Sequence, residues 1–224
     1  MGDGGYTLRT FGTEILVVGI GVLAGLAGET WLSNLQGAAD AREALVAVGE
    51  DLDADLGEMR SVLGTQRALA DSLDFILSGA SNTEILERAG LLMQTGLTQS
   101  PTVYPRRGAY AAMSTAGHFT RLRDPELTNA LTSVYERDYA RLEYQGTLYD
   151  ADMADAWDAY RRVFDWQSGA VIENDPVAQV RFINELRLWR LWIDNYRALL
   201  EDTSEKVSVV QEQLHTSERD GGTP

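Results

Sequence analysis

Residues 45–77, LVAVGEDLDADLGEMRSVLGTQRALADSLDFIL, carry an apolar side chain at every third or fourth position, with Asp, Glu, Arg and Ala filling the gaps. The repeat runs through Leu45, Val48 or Gly49, Leu52, Leu56, Met59, Leu63, Ala70, Leu73 and Leu77. That spacing follows the 3.6-residue period of an α-helix, so one flank of the helix is apolar and the other wet. No segment sustains the two-residue alternation of a half-buried strand. The expectation is a long amphipathic helix ending near Gly79, in an all-α fold.

Working toward the C-terminus, Ser81-Asn82-Thr83-Glu84 matches a capping box and predicts a short helix to about Leu97. Thr98 to Arg107, with Pro101 and Pro105, reads as a loop, and Ala109 to His118 as a helix of about three turns. Asp124-Pro125-Glu126 places an N-cap before a proline at the first helical position, starting a long helix toward Gln167. Its apolar line is Leu127, Leu131, Val134 or Tyr135, Leu142, Leu148 or Tyr149, Trp157, Tyr160 and Phe164. Asp175-Pro176 repeats the start signal for a last helix to about Ser217. Residues 33–218 thus form an antiparallel helical bundle, followed by a polar tail at 219–224.

Working toward the N-terminus, a tail at 1–10 precedes FGTEILVVGIGVLAGLAGETWL at 11–32. Ile15 to Gly28 is free of charge for 14 residues, about 21 Å of helix. A bilayer core of roughly 30 Å asks for about 20 residues, so a span draws Glu14 and Glu29 to the two interfaces. Trp31 suits the interfacial aromatic belt. In helical projection Glu14, Gly21, Gly25 and Gly28 fall on one side and the large aliphatic residues on the other. Small residues let helix backbones approach closely in lipid, and an intramembrane carboxyl faces protein. This face is expected to dock against another transmembrane helix. A cleaved signal peptide is the competing reading, with Gly25-Leu26-Ala27 as its small-x-small site, but Arg9 is the only basic residue before the apolar run. A retained anchor is favoured. Arg9 lies nearer the span than Arg42, which tilts the N-terminus toward the cytoplasm and the bundle toward a periplasm.

The formal charge of −15 argues against nucleic acid, where Lys and Arg must neutralise phosphates. It argues equally against adsorption to an anionic lipid surface. The absence of cysteine removes disulfides, thiolate nucleophiles and Cys-ligated metals. Asp51, Asp53 and Asp55 imitate the opening of a calcium loop, but Leu56 stands where glycine is needed and Val62 where the closing glutamate belongs. They are expected on a solvated face. Asp150, Asp152, Asp155 and Asp158 form a second acidic run without a metal-spaced partner set. His118 is expected at a helix end, where a cation complements the dipole. No catalytic residue, metal or cofactor is expected. Trp157, Trp166, Trp189 and Trp192 gather on two facing helices as core. Any part left exposed, above all Trp189, Arg190 and Trp192, is a candidate partner-binding patch.

TEILVVGIGVLAGLAGETW, followed by the acidic EDLDADL helix, resembles an uncharacterised group of bacterial single-span membrane proteins. AYAAMSTAGHF and DPELTNALTSVYERDYARL resemble that group's second recurring block. The resemblance implies an N-terminal anchor and a helical extracytoplasmic domain, and carries no catalytic residues.

The expected function is a non-enzymatic accessory subunit of a larger bacterial membrane complex, with photosynthetic reaction-centre–light-harvesting or respiratory assemblies as natural hosts. Its partners would be other membrane subunits and the inner-membrane bilayer. The alternative is a ligand-sensing extracytoplasmic bundle tethered to the membrane.

Overall fold

A computed structural model describes residues 5–95, 101–122, 124–165 and 167–220, with side chains within 36–90, 101–122, 124–165 and 167–216. Its helices are α1 (Gly5–Leu77), α2 (Asn82–Thr95), α3 (Gly108–Thr115), α4 (Pro125–Ser133), α5 (Tyr139–Val163) and α6 (Pro176–Asp220). A 3-10 turn at His118–Arg121 follows α3, and a π-helical turn at Val134–Asp138 joins α4 to α5. Among the described residues the only strand-like pairing is the bridge Phe164–Val171.

The helix starts follow the local signals. Asp124 accepts the Leu127 N–H at 2.9 Å and Asp175 accepts that of Val177 at 3.0 Å, each just ahead of a proline. Ser81 Oγ accepts the Glu84 N–H at 3.3 Å, while Glu84 reaches back to the Ala80 N–H at 2.8 Å, one residue earlier than a standard capping box. The long helix expected to reach Gln167 stops at Val163, because Phe164 turns extended. Asp165 then closes a tight turn by accepting the Ser168 N–H at 2.8 Å. The helix expected to end at His118 ends at Thr115. Gly117, at φ 70°, breaks the helix in a conformation that strains other residues.

Three helices carry the core on a strict alternation of three- and four-residue steps. On α1 the buried line is Ala41, Leu45, Val48, Leu52, Asp55, Met59, Val62, Gln66, Leu69, Leu73 and Ile76. On α5 it is Tyr139, Leu142, Gly146, Tyr149, Met153, Ala156, Tyr160 and Val163. On α6 it runs Phe182, Leu186, Trp189, Ile193, Tyr196, Leu200, Thr203, Val207, Val210 and Leu214. A 3.5-residue repeat keeps one seam facing the neighbours only if the helices supercoil left-handedly. Cross-helix pairs set the directions. Asp74 meets Arg190, Arg67 meets Glu201 and Gly49 meets Gln211, so α6 runs antiparallel to α1. Asp55 lies by Tyr139 and Gln66 by Tyr149, so α5 runs parallel to α1.

The interior divides into two clusters. The lower gathers Leu45–Leu63, Tyr110, Tyr135, Tyr139 and Leu199–Leu214. The upper gathers Leu69–Ile76, Ile85, Leu86, Tyr149–Phe164 and Phe182–Ile193. α2 closes the upper end. A Cβ on its Gly90 would stand 2.1 Å from the Gly169 carbonyl oxygen, so this close approach to the 165–170 turn requires glycine.

Two expectations about faces are corrected. Ile76, not Leu77, carries the core line at the end of α1. Asp55 is fully buried rather than solvated, while Asp53 is exposed and Asp51 half-buried. The loop after α2 lies over Asp55 and supplies its partners.

Among the described residues no helix is long and apolar enough to cross a membrane. The expected span at 11–32 lies outside the residues whose side chains are described.

Candidate functional site

Residues 101–107 cross the bundle as a strap tied to all three core helices. Gln66 Nε2 donates to the Pro101 carbonyl at 3.0 Å, and the Val103 N–H donates to Tyr196 Oη at 2.8 Å. Thr102 Oγ1 and Tyr104 Oη donate to Asp150 at 3.1 and 2.6 Å. The Arg106 N–H donates to Asp55 at 3.1 Å and its guanidinium to the same carboxylate at 2.7 Å. Arg107 Nε donates to Glu143 at 3.0 Å, and the Ala109 N–H to Asp51 at 3.3 Å.

The strap covers the one fully buried carboxylate among the described residues, Asp55. Beside it the π-turn packs Tyr135 and Tyr139 inward, rings edge to face at 5.1 Å, with Tyr110 stacked on Tyr135 at 4.2 Å. The Tyr139 N–H donates to the Val134 carbonyl five residues back, the mark of a π-turn. Burial pushes the Asp55 carboxyl above the usual carboxylate range, and the Arg106 hydrogen bonds pull it only part of the way back. Burial, with the Asp55 charge second, pushes both phenols up, so both stay neutral. The Tyr139 hydroxyl lies against the Asp55 carboxylate, while that of Tyr135 has no hydrogen-bond partner among the described residues. Asp138 has the opposite balance: burial raises it, but Arg137 and Lys206 outweigh burial and hold it below the usual range. Chemically this is a clamp. The Asp55 oxygens are occupied by the strap and face no open space.

A second buried polar chain ties the two clusters together. Trp189 Nε1 donates to Tyr149 Oη at 3.1 Å, Tyr149 Oη to Gln66 Oε1 at 3.2 Å, and Gln66 Nε2 holds Pro101. Asp55, Gln66 and Thr203 all sit at core positions of the seven-residue repeat. Carrying a three–four count forward from Leu45 through Val48 and Leu52 lands on 55 and 66, the signal by which the sequence could have yielded them.

Among the described residues, two surface clefts flank α6. One of about 410 Å³ lies between α1 and α6, lined by Asp53, Arg60, Gln211, Glu212 and His215. The other, about 160 Å³, lies between α5 and α6, lined by Asp152, Asp155, Glu185, Leu188, Trp189 and Trp192. Among the described residues no His, Asp and Glu group is arranged to hold a metal ion. The acidic run of α5 is divided: Asp150 holds the strap, Asp158 pairs with Arg161, and Asp152 and Asp155 line the smaller cleft. His118 is half-buried at the start of the 3-10 turn.

The aromatic patch splits. Trp189 is core, and Arg190 pairs with Asp74 at 2.8 Å and Asp194 at 2.5 Å, which raises its pKa further. Trp192 is half-buried against the upper cluster. Trp166 and the residues Glu14, Gly21, Gly25 and Gly28 lie outside those whose side chains are described.

No curated protein and no solved structure matches the chain. A family model described as Family of unknown function (DUF6090) matches residues 14–194, from the glutamate before the apolar segment to the middle of α6. The match takes in most of the 224 residues, and the chain belongs to that family.

Proposed function

We propose that the chain is a membrane-tethered, non-enzymatic scaffold, an accessory subunit whose bundle is held beside a larger membrane complex. The apolar segment 11–32 is the anchor, its Glu14, Gly21, Gly25 and Gly28 side packs on a neighbouring transmembrane helix, and the bundle lies on the periplasmic side. One observation carries the reading. A single helix, α1, holds the apolar segment at one end and a full side of the bundle core at the other. A helix of this length, about 110 Å at 1.5 Å per residue, suits a stem that fixes the bundle at a set height.

The surface supports a docking role. Val177, Val180, Leu188 and Leu191 are 56, 42, 46 and 55 % exposed and lie within about 80° on α6. The opposite side of the same helix, through Leu186 and Ile193, is buried. Arg181 and Arg187 border this stripe in a chain of net charge −15. The complementary partner is therefore a subunit helix whose apolar positions are flanked by carboxylates. The carboxylate that burial pushes upward, Asp55, is spent on holding the strap, which favours a structural role for that acid.

Purification in mild detergent tests the reading. Co-migration with a multi-subunit complex, lost on combining Gly21→Leu with Gly25→Leu, is the expected result. A solitary monodisperse chain, or a chain released from membranes by alkaline carbonate, overturns it.

A further inference from the structure

We infer that the cleft between α5 and α6 is a binding site for a small organic ammonium ion, with Trp192 as its aromatic wall and Asp152, Asp155 and Glu185 as its charged rim. The walls are set by helix geometry. Glu185, Leu188, Trp189 and Trp192 recur at the three-, four- and seven-residue intervals of one helix face, and Tyr149, Asp152, Asp155 and Ala156 do so on the facing helix. The tryptophans therefore meet the carboxylates across the cleft because the two helices pack, and no loop need be ordered to build it.

The charges point to a cation. Among the described residues, most carboxylates near an arginine are paired: Asp55 with Arg106, Asp74 and Asp194 with Arg190, Asp158 with Arg161, Glu143 with Arg107. Among the described residues Asp152, Asp155 and Glu185 take part in no ion pair, and no basic residue lines the cleft. Three unpaired negative charges around a low-dielectric aromatic wall focus a negative potential into the gap. A hydrated metal ion is not what this wall suits, since half of the lining is indole, phenol ring and aliphatic carbon. A quaternary or alkylated ammonium is attracted to the indole face and to the carboxylates at once, while its methyl groups cover the apolar lining.

Size agrees. About 160 Å³ is room for about five waters at ~30 Å³ each, enough for an ammonium head group. Trp189 is held at the back wall by its hydrogen bond to Tyr149, and the half-buried Trp192 is the ring left partly open to a guest. The cleft shares Leu188 with the exposed stripe of α6, and its existence does not depend on the anchor.

Isothermal titration of the full chain in dodecyl maltoside with choline chloride tests the assignment against 3,3-dimethylbutan-1-ol, the uncharged analogue of the same shape. Choline is expected to bind saturably, the neutral analogue about tenfold more weakly. Trp192→Ala is expected to abolish the heat and Trp192→Phe to retain part of it. Asp152→Asn combined with Glu185→Gln preserves volume, and is expected to weaken choline about tenfold while circular dichroism stays unchanged. Phosphocholine, whose phosphate meets the acidic rim, is expected to bind more weakly than choline. No saturable heat up to tens of millimolar choline, equal binding of the neutral analogue, or indifference to both variants overturns the site. Phosphocholine binding tighter than choline overturns its assignment to a free ammonium ion and reassigns it to a lipid head group.

Discussion

The lower and upper halves of the bundle are built on the same helices and the same seven-residue repeat, yet they are held in different ways. In the upper half the core positions are filled by rings. Tyr160 stacks on Phe164 at 4.8 Å, and Phe164 meets Phe182 edge-on at 5.1 Å. In the lower half one core position is a carboxylate, Asp55, with a strap laid over it and a π-turn beside it. The contrast teaches that a polar group is accommodated at a seam position when a loop supplies its partners. A ring needs only neighbours of the right volume.

The largest effect is expected where volume alone holds the structure. Phe182→Ala removes a fully buried ring from the upper cluster and should cost about 3–5 kcal/mol in urea denaturation. A loss under ~1 kcal/mol would show that the upper half collapses onto the cavity. Next comes the relay between the halves. Tyr149→Phe deletes the oxygen that accepts from Trp189 and donates to Gln66, at a cost of about 1–3 kcal/mol. Hydrogen exchange should then quicken at Val103 more than at Leu86, because Gln66 also holds the strap.

The pH dependence sharpens the contrast further. Asp55 in the folded chain keeps its proton to higher pH than in the unfolded chain, so its contribution to stability falls as pH rises through the window just above the usual carboxylate value. Asp138 and Glu84, whose carboxyls are held low, act oppositely: their contribution is present above the usual value and lost as pH falls. Asp55→Asn removes the first dependence and leaves the second. The stability difference between wild type and Asp55→Asn should therefore shift against wild type as pH rises through that window, then level off. A difference independent of pH would place Asp55 in contact with water. The smallest effect is expected at Tyr135→Phe. Its hydroxyl is buried without a hydrogen bond among the described residues, so removal should change stability by less than ~1 kcal/mol, toward greater stability.

Much of the architecture was legible because its causes are local. Asp124-Pro125, Asp175-Pro176 and Ser81 with Glu84 mark helix starts by chemistry contained within four residues. The apolar line of α1 likewise needs no knowledge of what covers it. Asp55 was not legible as a core residue, because a carboxylate joins the interior only when a partner arrives from 51 positions away. Trp189 and Trp192 look alike in RLWRLW, yet one step around the helix separates a locked core ring from a half-open wall. The smaller cleft needed the register of α5 against α6, which no stretch of sequence encodes by itself.

The turn at Val134–Asp138 holds one more residue than an ordinary helical turn would. That surplus acts as a phase shifter, advancing everything beyond it by about 100°. Excising a single amino acid there would leave α4 and α5 as one smooth rod. It would also swing Tyr149, Met153 and Tyr160 off the seam together. Insertions and deletions are commonly tolerated where chains bend through solvent; here the sensitive spot lies inside a helix, and the length of the chain at that point decides which side of α5 faces the rest of the molecule.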